Sequence, residues 1–166
     1  SRVMDLSGAS AANTQARRNA EDGQVWIEIA DSRLGAIGDR LQRVRELVIT
    51  ACNGVNRTDG GRADAAEVAG LRESIATLAN SRHSGRPLFG GFVSVDPIAS
   101  IDPGWVYQGD GGAITRRVAE KENVQINVTG VDIFGFGAGQ NLFQLLDDIG
   151  AQVLAGDTHG LGASLY

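Results

Sequence analysis

Residues 20–55 read AEDGQVWIEIADSRLGAIGDRLQRVRELVITACNGV, and within them Ala20, Gly23, Ile27, Ala30, Leu34, Ile37, Leu41, Val44, Val48, Ala51 and Val55 are spaced by alternating steps of three and four residues. Ten of these eleven positions are apolar, which is the a/d seam of a helix that packs lengthwise against another helix. The helix is expected to begin well before Ala20, because Val3 to Arg18 holds no strong breaker other than Gly8, and to stop where Asn53-Gly54 offers a left-handed end. Thr14 to Asn53 alone, at a rise of about 1.5 Å per residue, makes a rod ~60 Å long. Ile29, Leu47 and Ile49 lie off the seam and would stay bare against one partner, so the rod is expected to touch more than one neighbour. On its polar face, Asp39 with Arg43 and Arg18 with Asp22 stand four apart, the spacing of helix-surface ion pairs.

Beyond a polar loop, Val55 to Gly61, the same spacing resumes at Val68, Leu71, Ile75 and Leu78. A short loop between two seam-bearing helices predicts an antiparallel helical hairpin. The second helix is expected to stop near Ser84-Gly85-Arg86-Pro87. Composition changes there: residues 1–86 hold 12 Arg, one aromatic and no Pro, for a net charge of +1, whereas 87–166 hold eight aromatics, all three Pro and 14 of the 23 Gly, for a net charge of −6. The second half therefore reads as short strands and turns. Trp105-Val106-Tyr107 and Ala113 to Val118 are expected to form a hairpin about Gly109–Gly112, and Val124, Ile126 and Val128 a strand with one buried face. Leu142, Leu145, Leu146, Ile149 and Val153 mark a smaller amphipathic helix. Gly156 to Tyr166 reads as loop. The expected fold class is α+β: a long antiparallel helical hairpin forming part of a rod (1–86), a small β-rich outer unit (87–137), then a short helix and a connection back toward the rod (138–166).

The residue chemistry points away from catalysis. The chain has 166 residues, 42% hydrophobic, with a net charge of −5 and one cysteine, a balance that disfavours a cystine scaffold and a basic nucleic-acid module. No apolar run approaches the roughly 18 residues a membrane span needs. Gly135-Phe136-Gly137-Ala138-Gly139 has the look of a phosphate turn, but the third glycine of a dinucleotide fingerprint would fall on Gln140. His83 and His159 have no Cys or His at metal-ligand spacing, and Cys52 has no base near it in sequence. Asp147 and Asp148 are adjacent on a helix and point about 100° apart, as members of a solvated face. Asn56-Arg57-Thr58 and Asn127-Val128-Thr129 match only a short glycosylation pattern. No catalytic residue, cofactor or metal is expected.

Several segments carry a family likeness. Arg18-Asn19-Ala20-Glu21-Asp22-Gly23, Ala30-Asp31-Ser32-Arg33-Leu34, Leu41-Gln42-Arg43-Val44-Arg45-Glu46-Leu47 and Asn53-Gly54-Val55-Asn56 resemble the N-terminal half of bacterial flagellins and their junction relatives. The run Leu78 to Gly91, with Tyr107-Gln108-Gly109-Asp110 and Leu154-Ala155-Gly156-Asp157, resembles the hook-associated protein 3 family of the hook–filament junction. That resemblance implies a rod-like subunit bearing an outward β unit, exported to the extracellular flagellum by the flagellar type III apparatus without a cleaved signal peptide. The implied partners are hook-associated protein 1, flagellin, copies of itself and an export chaperone, with no nucleic acid and no membrane. It also implies a native chain longer at both ends, with a C-terminal helix returning along the rod. Without that helix, Ile37, Leu41 and Val44 are expected to lose part of their cover. Candidate subunit contacts are Ile29, Arg33, Arg40, Arg43, Arg45, Glu46, Leu47 and Ile49. A flagellin with a short outer domain is the alternative within the class. A sugar-binding or hydrolytic β domain on a helical stalk, with Trp105 and Tyr107 lining a cleft, is the rival outside it.

Overall fold

A computed structural model describes residues 2–54 and 58–164. Helix α1 runs unbroken over Arg2–Asn53, 52 residues, so the rod is ~78 Å long at about 1.5 Å per residue. It passes straight through Gly8, Gly35 and Gly38, where an added side chain would meet nothing. Helix α2 covers Thr58–Ala79 and includes Asp59, Gly60 and Gly61, which the sequence pattern assigned to the loop. Val55, the pattern Asn56-Arg57-Thr58 and the terminal Tyr166 fall wholly or partly outside the described residues. Arg40 Nε reaches Ser74 Oγ at 2.7 Å and Arg43 Nε reaches Glu67 Oε1 at 2.6 Å, so positions rising along α1 meet positions falling along α2, the antiparallel hairpin expected.

The chain leaves α2 earlier than its Gly-Arg-Pro signal suggests. After Ala79 it forms strands β1, Arg82–His83, and β2, Arg86–Pro87. Ser84 and Gly85 between them take φ 49° and 78°, the two left-handed positions of a type I′ hairpin turn. Gly85 therefore turns a ribbon and does not cap a helix.

The strand pairing also departs from the expected order. Strand β3, Ile98–Ile101, pairs antiparallel with β4, Gly104–Tyr107, across a turn containing a cis Asp102-Pro103 bond. Strand β5, Thr115–Ala119, pairs with β6, Glu122–Gln125. Thus Trp105–Tyr107 and Ala113–Val118 belong to separate ribbons, and Gly109–Gly112 links them. The reason lies in tight backbone packing: Tyr107 Oη lies 2.7 Å from Phe89 O and 3.1 Å from Asp110 O, and Asp110 Oδ1 accepts from Phe92 N and Gly112 N at 2.8 Å each. These bonds hold the linker as a knot against residues 89–92. Of the expected strand face Val124, Ile126 and Val128, only Ile126, just past the end of β6, is buried; Val124 and Val128 are 39% and 46% exposed.

Helix α3, Gly130–Phe134, ends at Gly135, whose φ of 76° makes it a left-handed cap. Gly135–Gly139 therefore joins two helices, and no strand precedes it. Helix α4, Leu142–Ala155, is capped by Asn141 and ended by left-handed Gly156. Helix α5, Thr158–Ala163, occupies the stretch expected to be loop. Helix α4 packs on α2, where Gly150 faces Val68, and buries Phe143, Leu146, Ile149 and Val153. The aromatics of the second half interlock: Trp105 stacks on Phe143 with ring centres 5.0 Å apart, Phe134 meets Phe89 edge-on at 5.8 Å, and Tyr107 lies 5.8 Å from Phe136. They join the α1–α2 interface in one continuous core.

Candidate assembly surface

Helix α1 buries Gly23, Trp26, Ala30, Ile37, Val44, Leu47 and Val48. Trp26 and Leu47 lie off the heptad seam yet are 2% and 4% exposed, whereas Ile27 lies on the seam and is 47% exposed. The covered face is thus wider than, and rotated from, the 3.5-residue seam, as for a helix with several neighbours. Those neighbours are α2, α4, α5 and β5. Ile37 and Val44, expected to be partly bare, are each 4% exposed; only Leu41 remains partly open. The size of Trp26 and its three-residue distance from Gly23 were the available signals that the face extended to it.

The candidate contacts separate accordingly. Leu47 is built into this chain's own core and leaves the set. Ile29 is half-buried against that core, and Ile49 is 42% exposed. Arg40 is partly buried and donates to Ser74 Oγ and to Ala36 O. Arg43 does not pair with Asp39; it grips Glu67 with two donors, at 2.6 and 3.2 Å, and Glu46 with a third at 3.3 Å. The Glu67 bond leads the causes that raise the Arg43 pKa, and the same bond lowers that of Glu67. Arg33 and Arg45 are exposed and make no hydrogen bond among the described residues. Arg18 likewise does not hold Asp22, which instead accepts from Arg116 at 2.7 Å.

That last pair belongs to a junction the sequence pattern did not reveal. The β5–β6 ribbon lies across α1 where Asn19 Nδ2 donates to Arg117 O at 3.0 Å and Asp22 meets Arg116. A Cβ added at Gly23 would stand 3.1 Å from Ile126 Cγ2, so glycine permits this close crossing. An apolar groove bordered by Ala20, Ile27, Val118 and Val124 opens beside the ribbon. Toward the helix start, residues 2–15 are all exposed, with Val3, Met4 and Leu6 at 71 to 77%.

Several of the candidates singled out in the sequence make internal contacts. Asp147 is not a freely solvated acid: its carboxylate accepts from Trp105 Nε1 at 2.8 Å and from Arg72. Burial opposes the Arg72 charge, but its bonds to Glu73 and Asp147 outweigh that and raise its pKa. Burial raises the pKa of Tyr107 as well. Both aromatics of the rival reading thus face inward, and the hollow beside Trp105, of about 180 Å³, is below the ~300 Å³ at which ligand pockets begin. Cys52 is partly buried against the core. His83 meets Trp26 edge-on at 5.9 Å. Asn127 and Thr129 are buried, which closes the second glycosylation pattern. Among the described residues no cluster of three metal-ligating side chains occurs, and no helix is long and apolar enough to cross a membrane.

Comparison with known proteins gives this surface its context. Flagellar hook-associated protein 3 of Salmonella typhimurium is 27% identical over 161 residues, covering 89% of this chain and 50% of its own length. A flagellin of Salmonella berta is 28% identical over 176 residues, covering 98% of this chain and 32% of its own. The chain therefore spans half or less of the length of these curated relatives. Among solved structures, FlgL of Xanthomonas campestris is 32% identical with a TM-score of 0.71, over 77% of this chain and 42% of that one. FlgL of Bacillus cereus, at 18% identity, shares the fold with a TM-score of 0.81, over 99% of this chain and 78% of that one. The model of the bacterial flagellin N-terminal helical region matches residues 1–93, more than half of the chain, and the chain belongs to that family.

Proposed function

We propose that this chain is a structural subunit of the bacterial flagellum that joins hook-associated protein 1 to the flagellin filament through self-assembly of its helical rod, and that it performs no catalysis. The observation that carries the reading is the unbroken 52-residue α1, bare over residues 2–15 and bearing unpaired Arg33 and Arg45 among the described residues, in a chain whose relatives include hook-associated protein 3. A helix clothed at one end and open at the other suits a part that is completed by further helices. On this reading α1 and α2 form the rod part, the three ribbons the outer unit, and α4, packed on α2, the connection back toward the rod. Arg33, Arg40, Arg43, Arg45, Glu46, Ile29 and Ile49 are the contact candidates that remain. Arg33 and Arg45 are the sharpest of these, because changing either breaks no internal bond among the described residues, whereas Arg43 also ties α1 to α2. Export by the flagellar type III apparatus with a chaperone, and residence outside the cell, follow from the same reading.

The test is capture of hook-associated protein 1 and flagellin by the full-length protein, paired with motility of a strain in which Arg45→Glu replaces the native chain. Loss of capture and motility with normal secretion is expected. Wild-type capture of neither partner overturns the junction role. Presence as the bulk filament protein, in place of a few copies, would favour the flagellin reading, which the match covering 98% of the chain supports.

A further inference from the structure

The chain contains eight asparagines, and Asn53 alone is followed by glycine. It is the last residue of α1, exposed to solvent, and its side chain makes no hydrogen bond among the described residues. Among the described residues Gly54 N–H is held only by Ala51 O at 3.3 Å, longer than the usual 2.7–3.2 Å. We propose that Asn53 is a site of spontaneous deamidation, at which α1 acquires a carboxylate at its C-terminal end without any enzyme.

In the reaction, the Gly54 amide nitrogen gives its proton to base and attacks Asn53 Cγ. A Cγ–N bond forms, the Cγ–Nδ2 bond breaks, and ammonia leaves carrying the proton returned from solvent. The resulting succinimide is opened by water at either of its carbonyls, to aspartate or to isoaspartate, in which the backbone runs through the former side chain. A residue with a side chain at position 54 would crowd the attacking nitrogen; glycine does not. Three other asparagines show what protection looks like. Asn80 is followed by the small Ser81, yet its amide donates to Ile98 O and accepts from Ile98 N, both at 2.8 Å. Asn127 is buried and bonded at both ends of its amide, and Asn141 Oδ1 caps α4.

The product matters because of where it sits. The last turn of α1 holds no basic residue, so a new negative charge there opposes the negative end of the helix dipole. An isoaspartate would also lengthen the backbone where α1 ends. The modification would therefore loosen the last turn of α1 in aged protein.

The full-length folded protein is incubated in mildly alkaline buffer and followed by peptide mass spectrometry. The peptide containing Asn53 is expected to gain the mass of an amide exchanged for a hydroxyl, to split into aspartyl and isoaspartyl forms, and to do so faster as pH rises. Gly54→Ala is expected to slow the change severalfold, and Asn53→Gln to abolish it. Should Gly54→Ala fail to fold, the rate at Asn53 against that at Asn80 within the wild-type protein carries the test. Conversion of Asn80 as fast as Asn53, no conversion at Asn53, or conversion only in denaturant overturns the proposal.

Discussion

The first 14 described residues of α1 and the stretch from Gly23 to Val48 belong to one unbroken helix, yet the former is exposed throughout and the latter carries seven buried residues. Both contain apolar side chains. The second is packed by α2 and, at Gly23, by Ile126 beside the β5–β6 ribbon, whereas the ribbon's turn only borders an open hollow along Gly8–Gln15. The contrast teaches that helix formation and helix burial are separate decisions: continuity comes from absent breakers, burial from the arrival of other elements.

The largest expected effect sets Trp26→Ala against Leu6→Ala. Emptying the 2% exposed Trp26 site should cost about 3–5 kcal/mol, whereas trimming exposed Leu6 should stay within about 0.5 kcal/mol. Urea unfolding of the two variants checks both; equal losses would mean that the helix start is covered in solution. Next comes a pair of glycines. Gly23→Val would press on Ile126 at the ribbon crossing and should cost about 1–3 kcal/mol, while Gly38→Ala, with open space around it, should gain up to about 1 kcal/mol from helix propensity. A stabilising Gly23→Val would show that the ribbon does not sit against α1.

The smallest effect is a pH dependence. The Glu67 pKa is lowered below its ordinary 4.5 by Arg43, so the stability from this pair is present above that value and lost as pH falls through the lower, folded value. Glu67→Gln should therefore flatten the acid limb of stability slightly and leave neutral stability nearly unchanged, since both groups are exposed. Thermal melts from neutral to acid pH read this directly, and an unaltered acid limb would remove the pair from the α1–α2 interface.

Much of the fold was legible because helices are written in local spacing. The 3,4 pattern marked both long helices, and Leu146, Ile149 and Val153 marked the face of α4. The ribbons were harder, because two strands separated by a glycine-rich linker look alike whether they pair with each other or with outer neighbours. Knotting of Gly109–Gly112 against residues 89–92 decided that, and the bonds involved join residues 18 apart. The candidate surface was legible as exposed charge at Arg33 and Arg45. It was misread at Leu47 because a heptad register assumes one partner, and this helix has several.

The amino-acid order alone determined that α1 is long and that α2 returns along it. Those features depend on residues within a few turns of each other. Which face of α1 is covered, why Trp26 is inside and Ile27 outside, and why Asp147 serves Trp105 and Arg72 were settled only by tertiary structure. Each depends on groups distant in sequence, such as Ile126 against Gly23 or Asp147 beneath Trp105, and no spacing rule within one segment encodes where another segment will land.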